Sequence, residues 1–169
     1  MFLLTSCGSK TKLQEESNKN NESHIINPEE LISKEEAEEI VGSSFPSTKN
    51  TDQKAVGLKL VFYDEEDDYF QISLTQQAFM PETQTSTPES LYNSLKNAQI
   101  KTLEELEEVG AENFYEDISG LSILHEGYYI SIKMGKFSGT DLKRQNITTK
   151  EMYIEAGKLA IKNLKEKLK

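Results

Sequence analysis

The chain holds a single cysteine, Cys7, and only two histidines, His24 and His125, in 169 residues. One thiol excludes an internal disulfide and any cysteine cage for zinc. Two histidines cannot build a histidine metal site on their own. Basic residues are also short: 19 Lys and Arg stand against 29 Asp and Glu, for a formal net charge of −10. That balance argues against a nucleic-acid binder, which needs lysine and arginine to neutralise phosphates. It equally argues against a domain held on anionic lipid by a basic surface. The hydrophobic fraction is low at 36%, with 28% of residues charged. Much of that polarity sits in roughly the first thirty residues, so the remainder approaches an ordinary globular composition. No Gly-x-Ser-x-Gly elbow, His-Glu-x-x-His helix or Walker loop occurs, so no catalytic residue, metal or cofactor is expected from motifs.

What is present begins with Cys7, which lies ahead of a polar stretch where no core could bury it. Leu4-Thr5-Ser6-Cys7 reads aliphatic, small, small, cysteine. This resembles the lipobox of bacterial lipoproteins, in which the cysteine thiol receives diacylglycerol and the chain is cut just before it. The resemblance implies lipidation at Cys7, acyl chains such as palmitate as the anchor, and a place on the extracytoplasmic face of the cell membrane. Residues 1–6 are then the remnant of a signal peptide. Such a peptide carries a basic segment and an apolar run of about 7–15 residues, of which only Phe2-Leu3-Leu4 stand here. The expectation is a start upstream of Met1, or an upstream part missing from the sequence. From Gly8 to Asn27 the chain is polar and aperiodic, too poor in apolar groups to offset its ordering entropy. It reads as a disordered tether over residues 7–27, followed by one domain over 28–169.

Within that domain, Ser33-Lys34-Glu35-Glu36 is a capping box that opens a helix carrying Ala37, Ile40 and Val41 and stopped by Gly42. Residues 43–53, with Pro46, read as loop. Val56, Leu58, Leu60 and Phe62 alternate with other residues, as do Phe70, Ile72 and Leu74, which predicts an antiparallel hairpin joined by the acidic run 64–68. Phe79 to Ser86 reads as a loop around Pro81. Thr87 and Pro88 open a second helix, with Leu91, Leu95 and Ala98 as its buried stripe. Leu103 to Val109 reads as loop entering a strand. Leu121 and Ile123, then Tyr128, Ile130, Ile132 and Met134, form a hairpin turned at His125-Glu126-Gly127. Phe137 to Asn146 reads as a mobile loop. Thr148-Thr149-Lys150-Glu151 is another capping box, with Thr148 as N-cap of the longest helix. Its apolar face carries Tyr153, Gly157, Ala160, Ile161, Leu164 and Leu168, with lysines on the rest. The layer rules then give an α+β fold, an antiparallel sheet of about four to six strands with helices packed on one face. The helix–hairpin unit occurs twice, an order compatible with internal duplication.

Val109-Gly110-Ala111-Glu112-Asn113-Phe114-Tyr115, followed by Leu121 to Gly135, resembles a group of small surface lipoproteins of bacteria, Gram-positive ones in particular. Those carry a glycine–glycine–acid–alanine–aromatic step, a hairpin of the form Leu-x-Ile-x-x-x-Gly-x-Tyr-x-x-Ile, and a closing helix. Glu108, Ala111 and Asn113 stand here where that pattern has glycine, an acid and alanine. The resemblance implies a fold and a surface location, and no functional residue.

Three further groups could carry chemistry. Asp64-Glu65-Glu66-Asp67-Asp68 could offer oxygens to a hard cation, which takes about six or more. It lacks the alternating acids and central glycine of an EF-hand loop, so a solvated turn is the expectation. His125 is expected to be a plain turn residue. Asn146-Ile147-Thr148 spells a glycosylation sequon, which means little in a bacterial lipoprotein. The aromatic pairs Phe62/Tyr63, Tyr69/Phe70, Phe114/Tyr115 and Tyr128/Tyr129 should each put one ring into the core. The other ring covers the sheet or lines a ligand groove. The leading expectation is a non-catalytic exported lipoprotein domain that binds a ligand or an envelope partner, held to the membrane by its lipid. The rivals are an exported hydrolase built on scattered acids and tyrosines, and a structural accessory subunit of an envelope complex.

Overall fold

The structure, a computed structural model, describes residues 25–53, 57–63, 68–98, 103–136 and 149–169. Two apolar alternations meet at its centre, in β3 (Asp68–Thr75) and β6 (Tyr128–Lys136). Their antiparallel register sets Phe70 opposite Met134, Ile72 opposite Ile132 and Leu74 opposite Ile130. Successive strand side chains point to opposite faces, so all six share one face, and all six are fully buried. β2 (Gly57–Tyr63) and β1 (Ser47–Gln53) extend the sheet beyond β3. β5 (Gly120–His125) and β4 (Glu112–Glu116) extend it beyond β6. The result is a six-stranded antiparallel sheet in the order β1-β2-β3-β6-β5-β4. With its three helices this is the α+β class expected. The unit that occurs twice is a helix followed by a three-strand meander, and the two units meet along β3 and β6.

Two helices cover the central face. α1 (Lys34–Val41) starts on the expected box: Ser33 Oγ accepts from the Glu36 amide at 3.3 Å, and Glu36 accepts from the Ser33 amide at 2.8 Å. It buries Ala37 and Ile40 and ends at Gly42. α3 (Lys150–Lys167) buries Tyr153, Ala156, Gly157, Ala160, Ile161 and Leu164, a stripe with helical spacing. Gly157 lets it lie close. A Cβ there would stand 2.9 Å from Leu121 Cδ2 and 3.0 Å from Val109 Cγ2. The Tyr153 hydroxyl accepts from the Met134 amide and donates to the Met134 carbonyl, both at 3.2 Å, which ties the helix to the backbone of β6.

α2 (Pro88–Ala98) lies on the other face. Phe114 and Tyr129 are neighbours of the core residues Tyr115 and Ile130, so they point away from the main core, and Tyr92 packs on both. Its ring centroid stands 5.1 Å from that of Phe114 and 5.8 Å from that of Tyr129. The buried stripe expected from Leu91, Leu95 and Ala98 is therefore corrected. Tyr92 is buried, Leu91 half-buried, and Leu95 and Ala98 exposed. The reason is that the surface under the helix is aromatic, made by Phe114 and Tyr129. One ring covers it.

Other expectations are corrected too. Residues 47–53, read as loop, form β1, which pairs with β2 along its length. Its residues on the face shared with Phe62, Leu60 and Leu58 are Thr48, Asn50 and Asp52, so the strand rests on backbone pairing and shows no apolar alternation. Between Leu103 and Val109 no strand forms. Glu104 makes one bridge to Tyr115, a 3-10 turn covers Glu107–Val109, and the strand starts at Glu112. The N-cap of α3 is Thr149, whose hydroxyl accepts from the Met152 amide, one residue later than expected. The domain also starts before Pro28, because Ile26 is 2% exposed and belongs to the main core.

Candidate functional site

Several residues singled out above lie outside the described ones: Cys7, His24, residues 64–67 of the acidic run, the loop 137–146 and the sequon at 146–148. Asp68 is described, and it is a buried first residue of β3 rather than part of a turn. His125 ends β5, while the tight turn is Glu126-Gly127, with φ of 47° and 78°. Those two left-handed residues match the twist of the flanking strands. His125 Nε2 stands 3.8 Å from Glu126 Oε1. Among the described residues no group of three or more His, Cys, Asp or Glu could hold a metal ion.

The aromatic pairs split across the sheet as expected. Phe62 lies between Phe45 and Phe70 in the core, 6.4 Å from each. Tyr115 meets Tyr153 at 5.0 Å. Phe114 and Tyr129 sit under α2, while Tyr63 remains 39% exposed. The rings thus serve core and cover.

A large concave feature among the described residues lies elsewhere, between the outer sides of α1 and α3, with a volume of about 760 Å³. Its floor is Ile40 of α1 with Ile154 and Leu159 of α3. Both α3 residues sit beside the buried stripe, half-buried and packed on the main core. Its rim is charged. Glu36 and Glu39 stand on the α1 side, Glu151 and Glu155 along one end of α3, and Lys158 and Lys162 along the other. Glu36 is already engaged by Ser33. The Glu151 carboxyl is held below the usual glutamate range by its own backbone amide and by the Thr149 hydroxyl. An apolar floor inside a ring of acidic and basic side chains can hold an amphipathic segment, burying its apolar side while matching its charges.

Sequence reasoning missed this groove because it assigned everything outside the buried stripe of α3 to solvent. The available signal was a second stripe, Glu151, Ile154, Glu155, Lys158, Leu159 and Lys162, at spacings of three, one, three, one and three. A smaller recess of about 220 Å³ lies beside α2. Lys59, Gln71, Ser73, Ser131 and Lys133 are among the residues that line it, with Leu95 on the helix side. Among the described residues, no helix is long and apolar enough to cross a membrane. Comparison with family models, with curated proteins and with solved structures finds no match.

Proposed function

We propose that this chain is the globular part of a bacterial surface lipoprotein, anchored through a lipid on Cys7, and that it binds a partner rather than catalysing a reaction. The observation that carries the anchoring is Leu4-Thr5-Ser6-Cys7 followed at once by a polar, aperiodic stretch. Binding is supported by the groove between α1 and α3, whose apolar floor and charged rim suit a protein surface. The hydrolase reading needs a pair of buried carboxylates in one recess. Among the described residues the buried acids are Asp68 and Glu116, which belong to β3 and β4, with β6 and β5 between them, and their register puts them on opposite faces. Glu116 accepts from the Ser119 amide at 2.9 Å, a turn contact. No observation favours hydrolysis.

The anchoring test is metabolic labelling with a clickable palmitate, followed by fractionation and mass spectrometry of the amino terminus. Label should enter the wild type, which should sediment with membranes and begin at a modified Cys7. Cys7→Ala should lose the label and leave the membrane with its thermal melting unchanged. An unmodified chain beginning at Met1 in the cytosol would sink the reading.

A further inference from the structure

The second stripe of α3 has a property that the groove alone does not require. Its members are arranged symmetrically about the point midway between Ala156 and Gly157, with charges of opposite sign at matching positions. Glu151 mirrors Lys162, Glu155 mirrors Lys158, and Ile154 mirrors Leu159. All six line the groove. The acids and lysines are exposed and the two aliphatics half-buried. A stripe of this kind is complementary to itself when reversed.

We propose that the occupant of the α1–α3 groove is a second copy of this chain, paired about a twofold axis that passes alongside α3 on its groove side, level with the midpoint between Ala156 and Gly157. Two α3 helices then run antiparallel, Glu151 and Glu155 facing Lys162 and Lys158 of the other copy, with the two copies of Ile154 on one flank of the contact and the two copies of Leu159 on the other. Such an interface is isologous, the same patch serving both sides, and it closes without leaving a surface for further copies. Parallel pairing would set like charges against each other and is disfavoured. The stripe spans about 16 Å of helix at roughly 1.5 Å per residue. The contact is therefore small, and the dimer is weak and reversible.

This inference rests on the groove being a binding surface, and it can fail separately from the anchoring. The test is sedimentation equilibrium of the full 169-residue chain, carried to about 0.5 mM. The wild type should show a monomer–dimer equilibrium that weakens several-fold when NaCl rises from about 50 mM to about 500 mM. Glu155→Lys and Lys158→Glu should each weaken dimerisation by about tenfold or more, because each sets like charges together twice across the axis. Mixed in equal amounts, the two variants should associate again, since each then supplies the charge the other lost. The double variant Glu155→Lys/Lys158→Glu should dimerise to within about threefold of the wild type. Circular dichroism melts of all four proteins establish that the variants are folded. A chain that remains monomeric throughout overturns the pairing and leaves the lipoprotein reading standing. A dimer indifferent to both single reversals, or one that the mixture fails to restore, also overturns it.

Discussion

Ile26 and Gln76 exchange two hydrogen bonds across the fold: the Ile26 amide donates to Gln76 Oε1 at 3.0 Å, and Gln76 Nε2 donates to the Ile26 carbonyl at 2.7 Å. Both residues are buried, at 2% and 1% exposure. One side chain thus satisfies both polar groups of a backbone unit as it enters the core. This contact places Ile26 inside the core, two residues ahead of the boundary at Pro28.

Truncation should therefore have a sharp threshold. Removing residues 1–24 should leave urea unfolding almost unchanged, whereas starting the chain at Pro28 should destabilise it. Ile26→Ala should cost about 2–5 kcal/mol through loss of burial and the cavity left behind. Gln76→Ala should cost about 1–3 kcal/mol by stranding a buried amide and carbonyl. Equal stability of the chains starting at residues 25 and 28 would refute the boundary.

Tyr92 should tolerate loss of its hydroxyl better than loss of its ring. The ring fills the space between Phe114 and Tyr129, and its hydroxyl has no hydrogen-bond partner among the described residues. Tyr92→Phe should be neutral or stabilising, while Tyr92→Ala should cost about 3–5 kcal/mol. Burial pushes the Tyr92 phenol up from its ordinary value of 10.0, with Glu112 and Glu105 adding to the effect. Burial raises Tyr129 likewise, against the hydroxyls of Ser122 and Ser131. The folded state then holds protons that the unfolded chain releases above pH 10, so stability is complete below that pH and falls as pH rises past it. Urea midpoints measured across the alkaline range should decline less steeply in Tyr92→Phe. An unchanged slope would show that Tyr92 does not contribute.

α3 should behave as a structural cover in which small and large positions are not interchangeable. Leu164 is fully buried, and Leu164→Ala should cost about 2–5 kcal/mol. Gly157→Val should cost about 1–3 kcal/mol, because the added atoms meet Leu121 and Val109. Lys162→Gln should change stability little, since the lysine is exposed on the outer side. Chemical denaturation of the three variants separates these outcomes. A silent Leu164→Ala would refute the docking of the helix.

Glu38 should titrate below the usual glutamate range. It accepts from the Phe45 amide at 2.7 Å, from Ser44 Oγ at 3.3 Å, and pairs with Lys34 at 3.1 Å. The Phe45 amide is the main cause and the Lys34 ammonium the next. A lowered pKa means that the contribution is present above the ordinary value of 4.5 and lost as pH falls through the folded value. Carbon-detected NMR titration should find the Glu38 midpoint below 4.5, and Glu38→Gln should leave Phe45 chemical shifts insensitive to pH in that range. A midpoint at or above 4.5 would contradict the contact.

What the sequence by itself determined was everything written in local periodicity or local capping chemistry. Alternation in β2, β3, β5 and β6 made those strands legible, because each presents a dry face to the core. Ser33 and Glu36 marked the start of α1, and the stripe from Tyr153 to Leu164 marked α3, because both patterns are complete within a few residues. Only the tertiary structure decided the rest. β1 is polar and exists because β2 offers it backbone partners, which no residue of β1 announces. Tyr92 replaced Leu95 as the anchor of α2 because the cavity was made by Phe114 and Tyr129 from distant strands. The groove needed α1 and α3 side by side, helices separated by the whole sheet in sequence. Ile154 and Leu159 could not be told from ordinary flank residues until that neighbour was in place, since burial is a property of what surrounds a side chain and not of the side chain alone.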